Sequence, residues 1–245
     1  MKFTFKTDIG KKRKNNEDSL FTKEYDDCSL FIVADGLGGY ESGEVASKIF
    51  VEQFSNYIEK NLNILTENVE DITVYNILKE ALQTANLKIY EMEKTDKKYK
   101  SMATTCVVLF ILKEKIYYLS VGDSRLYYIN KEKENITQIT EDDTYINELL
   151  KQDVINEEEA KIHPQRHVLT KAIGIIKNLT ADVKKLDKND GYLLLCSDGI
   201  TTMMEDNEIL DIYKSTKFEN IAKELVKFAN SKGGNDNITV ITVEL

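Results

Sequence analysis

Residues 29–36 read SLFIVADG, a short run of apolar and β-branched side chains that stops on Asp35 and Gly36. Six such residues make a strand; a buried helix would need about twice that length. The same device recurs along the chain. YLLLCSDG at 192–199 closes on Asp198 and Gly199, IYYLSV at 116–121 runs into the turn Gly122-Asp123-Ser124, and Asp236 stands in GGNDN just before ITVITV at 238–243. CVVLFIL at 106–112 and RLYYIN at 125–130 add two further strands, and Glu17 and Asp18 close NNED ahead of a strand starting at Leu20. Carboxylates therefore gather at strand ends, each beside glycine or a small polar residue that lets the backbone approach a ligand. Any one of them alone reads as a turn aspartate. Four in the same context point to a shared task, because carboxylates converging at one sheet end repel, and a divalent cation is the common way to offset that.

Between the strands lie amphipathic stretches. Val45, Ile49, Phe50, Phe54 and Ile58 mark one helix, Leu78, Ala81, Leu82, Ala85 and Ile89 a second, and Ile221, Leu225 and Phe228 a third that Gly233-Gly234 would stop. The segment 140–164 is polar and acidic, and Asn156 followed by Glu159 predicts a capping box within a small helical excursion. Strict βαβ alternation is absent, so the expectation is α+β, a β-sandwich with helices covering its sheets and strand order left open.

Composition narrows the chemistry. The 245 residues include one proline, Pro164, and only 11 glycines, so no linker divides the chain and one domain over 1–245 is expected. A formal charge of −9 repels phosphate backbones and anionic membranes, which argues against nucleic-acid or membrane partners. The start MKFTFKTDIG has no apolar signal core, and a cytoplasmic monomer is expected. Cys28, Cys106 and Cys196 read as buried reduced thiols. With His163 and His167 as the only histidines, a metal site must be mostly carboxylate, which selects hard cations such as Mg2+ or Mn2+.

Eight ordered blocks, TDIGKKRKNNED (7–18), VADGLGGYESGEVAS (33–47), SMATT (101–105), VGDSRLY (121–127), TEDDTYINELL (140–150), HPQRHVLTKAIG (163–174), GYLLLCSDGI (191–200) and GGNDNITVI (233–241), resemble the PP2C/PPM phosphatases of the compact bacterial type. The resemblance implies a four-layer αββα sandwich of two antiparallel sheets and hydrolysis of phosphoserine and phosphothreonine in proteins. A water bridging two divalent cations, Mn2+ or Mg2+, would attack directly, with no phosphoenzyme. By motif position it makes Asp35 the bridging ligand, with Asp198 and Asp236 on one cation and Glu17 and the Gly36 carbonyl on the other. Asp123 would join Asp198 at a third, weaker site, Arg13 would bind the substrate phosphate, Asp18 would support metal-bound water, and Asn237 would order the Asp236 loop. Segment 140–165 resembles the family's flap. The partners implied are phosphorylated proteins, either substrates of a bacterial serine/threonine kinase or that kinase itself.

Departures from the pattern are Ser101 and Ala103 in place of glycines, Tyr40 in place of a histidine, and Leu37 where animal relatives carry a histidine after Asp-Gly. None removes a ligand. His163 and His167 stay open as general acids or as structural residues. No GK[ST] follows the 36–39 loop, so it is not a P-loop, and Cys196 lacks the flanking residues of a cysteine phosphatase. The alternative is a catalytically weak relative that regulates or binds phosphopeptides.

Overall fold

The apolar runs become strands covered on both faces, which is why they read as nearly continuous hydrophobic sequence. In the computed structural model, which describes residues 1–38, 42–95, 97–188 and 190–245, the chain forms two antiparallel sheets between two layers of helices. The elements are β1 (Lys2–Asp8), β2 (Asp18–Glu24), β3 (Cys28–Leu37), α1 (Ser42–Lys60), α2 (Asp71–Thr95), β4 (Ala103–Thr104), β5 (Cys106–Leu112), β6 (Lys115–Val121), β7 (Arg125–Ile129) and β8 (Ile136–Gln138). There follow α3 (Tyr145–Lys151), α4 (Glu157–Ile162), β9 (Lys184–Leu186), β10 (Tyr192–Cys196), α5 (Asp198–Thr201), α6 (Asp206–Ser215), α7 (Ile221–Ser231) and β11 (Ile238–Glu244). One sheet is ordered β1-β11-β10-β7-β8. The other is β2-β3-β5-β6-β9, with β4 paired to the far end of β3.

Side-chain alternation assigns each face. Leu30, Ile32 and Ala34 of β3 and Val108 and Phe110 of β5 pack under Phe50, Phe54, Leu78 and Leu82 of α1 and α2. Phe31, Val33, Val107 and Leu109 point the other way and meet Leu193, Leu195, Ile241 and Val243 from the opposite sheet. Beyond that sheet, Leu194, Cys196 and Val240 pack against Ile209, Tyr213, Leu225 and Ala229 of α6 and α7. Three apolar interfaces thus hold four layers. Deleting a side chain at the centre, as in Phe31→Ala, would cost about 3–5 kcal/mol.

Several expectations hold in detail. Cys28, Cys106 and Cys196 are buried free thiols. The Asn156–Glu159 capping box is formed in both directions, and α7 closes with the Gly234 N–H on the Ala229 carbonyl. Others need correction at their boundaries. β2 begins at Asp18, not Leu20, because Asp18 and Ser19 pair with Asp35 and Ala34. β3 runs past Asp35 because Gly36 and Leu37 pair with Thr104 and Ala103. Asp198 opens α5, and Asp236 lies two residues ahead of β11. Gly39 and Tyr40 lie outside the described residues.

Candidate active site

All the acids of the strand-end pattern come to one end of the sandwich. Asp35, on the same face of β3 as Phe31 and Val33, continues the row of side chains between the sheets to the point where they part. Asp18 is directly opposite it in the β2–β3 register, and Glu17 precedes Asp18. Asp123 occupies the β6–β7 turn, and Asp198 and Asp236 come from the other sheet, after β10 and before β11. Arg13, Glu17, Asp35, Gly36, Asp123, Asp198 and Asp236 line one cleft of about 1480 Å³. The backbone is packed tightly beneath it: a Cβ on Gly36 would stand 2.1 Å from the Gly43 carbonyl oxygen, and one on Gly199 would stand 1.9 Å from the Asn237 oxygen. Only glycine admits these approaches, and that of Gly36 holds the start of α1 against the end of β3.

Hydrogen bonds set the loops. Asn237, 3 % exposed, accepts from the Glu17 N–H at 2.8 Å and donates from Nδ2 to the carbonyls of Ile9 and Asn15 at 3.0 and 2.9 Å. It therefore clasps the loop that carries Arg13 and Glu17 as well as its own. Arg13 Nη2 donates to Asp236 Oδ2 at 2.7 Å, and its Nη1 lies 4.0 Å from Glu17. The Asp35 carbonyl accepts from the Thr105 N–H and the Thr104 hydroxyl, both at 2.8 Å, while the Asp35 N–H donates to Thr105 Oγ1, itself bonded to Ser124 Oγ. Ser197 Oγ donates to Asp18 Oδ2 at 2.8 Å.

The electrostatics follow from this crowding. Burial, then the charges of Asp18, Asp198, Asp123 and Asp236, pushes the Asp35 carboxyl well above the usual range. Burial followed by Asp236 and Asp18 takes Asp198 up to about 7. Burial followed by Asp198 and Asp142 takes Asp123 up to about 7. Burial raises Asp18 to about 6 against hydrogen bonds from Thr239 and Ser197 that oppose it, and burial raises Glu17 against the pull of Arg13. Asp18 Oδ1 and Asp198 Oδ1 are buried and accept no hydrogen bond. A site made of oxygen donors, mutually repelled and with orphaned acceptors, fits hard divalent cations. Among the described residues no three Asp, Glu, His or Cys side chains already form a closed ligating set. The fit rests on charge and on the orphaned oxygens, without a preformed cage.

The cleft extends from the acids toward α3 and α4, past Arg125, Asp142, Ile146, Leu150 and Lys161. Arg125 forks onto Asp142 through Nε and Nη2 at 3.0 and 2.7 Å, and Asp143 fastens the base of this excursion to the Asp123 turn by bonds in both directions with Gly122. The two histidines separate. His163 ends α4 and accepts the Gln165 N–H on Nδ1. His167 lines the cleft, where burial and then Arg166 lower its pKa. Sequence reading gave no role to Ser197, Thr104, Thr105, Arg125 or Asp142. All stand in the eight blocks, but a hydroxyl beside a carboxylate carries no pattern of its own, and Arg125 with Asp142 could have been paired only by knowing that β7 faces the start of the excursion.

The profile of the protein phosphatase 2C family matches residues 10–240. Protein phosphatase PhpP of Streptococcus pneumoniae is 35% identical over 251 residues, which span 100% of this chain and 98% of that one. The structure of the Streptococcus agalactiae serine/threonine phosphatase superposes with a TM-score of 0.89 at 32% identity, covering 100% and 99% of the two chains. The catalytic domain of the serine/threonine phosphatase PstP, solved in complex with two manganese ions, superposes at 0.82 with 26% identity over 99% and 97%. A match of this length, on a sandwich whose acids converge at one end, makes the chain a member of the protein phosphatase 2C family.

Proposed function

We propose that this chain is a metal-dependent protein serine/threonine phosphatase, acting as one catalytic domain over residues 1–245 with a flap at about 140–165. The observation that carries the reading is the convergence of acids from five separate stretches of chain in a single cleft, with the carboxyls of Asp35, Asp123 and Asp198 raised by burial and by neighbouring acids. Asp35 would be shared by two cations, Mn2+ or Mg2+, with Asp198 and Asp236 completing one and Glu17 and the Gly36 carbonyl the other; Asp123 with Asp198 would serve a weaker third. When bound, such a pair supplies a water acidified toward neutral pH and neutralises phosphoryl charge.

The chain's own groups do the rest. Arg13, now paired with Asp236 and 47% exposed, offers a planar fork suited to two phosphate oxygens. Asn237 holds Glu17 and Asp236 in one frame, and Asp18 stands behind Asp35 as a buried acceptor. Of the two histidines, His167 would be the one to hand a proton to a leaving group, because it lines the cleft. Substrates would be phosphorylated proteins, among them the targets of a bacterial serine/threonine kinase or the kinase itself. The chain would act as a cytoplasmic monomer, which its formal charge of −9 favours.

Release of p-nitrophenol from its phosphate ester, and of inorganic phosphate from phosphothreonine peptides, should require Mn2+ or Mg2+ and stop with chelator. Tight phosphopeptide binding with no turnover under saturating Mn2+ would favour the alternative of a regulatory binding module.

A further inference from the structure

We propose that Ser197 is a positioning residue of this site. Its hydroxyl, through one hydrogen bond to Oδ2 of Asp18, fixes that buried carboxylate beside Asp35 and so sets how tightly the site closes on a cation. This rests on the metal-dependent reading given above.

Ser197 is fully buried at the junction of β10 and α5, where it occupies the N-cap position. Serine is favoured at N-caps because its oxygen accepts an N–H from the first turn. Here it makes no such bond. Its oxygen accepts the Thr239 N–H at 3.0 Å instead, and its single proton goes to Asp18 Oδ2 at 2.8 Å. The Ser197 N–H also donates to the Thr239 carbonyl at 3.0 Å, so the residue is pinned to β11 from two sides and its hydroxyl has one direction left. Asp18 belongs to the other sheet, 179 positions away in sequence. The bond therefore joins the two sheets behind the cleft, from the residue before Asp198 to the residue opposite Asp35. Oδ2 of Asp18 takes the Ser197 proton, the Thr239 side chain also acts on this carboxylate, and Oδ1 accepts nothing, so Ser197 helps decide which oxygen remains available. The helix start goes without its side-chain cap, and the hydroxyl serves a carboxylate in its place.

A double-mutant cycle separates positioning from simple support. Ser197→Ala should lower kcat on p-nitrophenyl phosphate about tenfold, the scale of one lost hydrogen bond to a charged group, with KM within about twofold. Calorimetry should find Mn2+ binding weakened by a similar factor. In an Asp18→Ala background, which takes the acceptor away, the same substitution should change neither quantity further. Ser197→Cys, of nearly the same volume with a weaker donor, should fall between wild type and alanine, and it carries the test should the alanine variant not fold. A lower melting temperature with unchanged kcat and Mn2+ affinity would overturn the proposal, as would losses that simply add in the double mutant. If wild type showed no turnover with Mn2+, the phosphatase reading itself would fail, while the calorimetric cycle would still decide the role of Ser197.

Discussion

Asn237→Ala removes a side chain that makes three hydrogen bonds to backbone groups of the 9–17 loop. Each buried group left without a partner costs about 1–3 kcal/mol. The Glu17 N–H, close under the cleft, should bear most of that. The Ile9 and Asn15 carbonyls belong to residues that are partly exposed and can recover water, so each should lose less. The sum is about 3 kcal/mol, which for a chain of this length corresponds to a fall in Tm of roughly 6–12 °C. Because the same bonds hold Glu17 and Arg13 in place, Mn2+ affinity should fall together with stability. Asn237→Asp should be worse than alanine: it keeps the acceptor for Glu17 but sets a carboxylate against two carbonyls. Differential scanning calorimetry with and without Mn2+ reads both effects. A Tm within 2 °C of wild type, or an aspartate variant as stable as the asparagine, would refute the clasp.

Asp35→Asn and Asp198→Asn should each nearly abolish turnover while leaving a folded protein, and should raise the cation-free Tm by removing one of several repelling charges; unchanged rates would refute the ligand assignment. Arg13→Ala should raise KM with little change in kcat, because it removes a phosphate contact and not the nucleophile, and a large kcat loss at constant KM would contradict that. Without cations, stability should fall as pH rises from about 4 to 7. In this window folded Asp18, Asp123 and Asp198, raised to about 6, 7 and 7, hold protons that the unfolded chain has released. The stabilisation given by Mn2+ should grow across the same window, and thermal melts in chelator showing no steeper decline for wild type than for Asp35→Asn would be the contrary result.

Much of this was legible because the sandwich buries its central strands on both faces. β3, β5, β6, β10 and β11 read as apolar runs, and the acids at their ends read as a set. What escaped had a physical reason. β1 is an edge strand whose Phe5 is half exposed, and β8 and β9 are three-residue strands with exposed or half-buried side chains, so none carries a hydrophobic signature. The helix α6 did carry one, in Ile209, Leu210 and Tyr213 behind a Glu205–Glu208 capping box, but it is short and follows the acids too closely to stand out. The strand order could not be read, since β1 beside β11 and β10 beside β7 are contacts between distant parts of the chain. For the same reason the acids were visible as a pattern, but the hydroxyls that hold them were not: Ser197 and Thr105 act through partners far away in sequence, and Asn237, expected to order its own loop, also reaches across to Glu17.

Anomalous diffraction at the manganese edge, from crystals grown with Mn2+, puts the central claim to its most direct test. Two peaks about 3.5–4 Å apart are predicted in the cleft, both touched by Asp35, one also by Asp198 and Asp236 and the other by Glu17 and the Gly36 carbonyl. Manganese bound elsewhere, or a cleft that stays empty at saturating Mn2+, would contradict it.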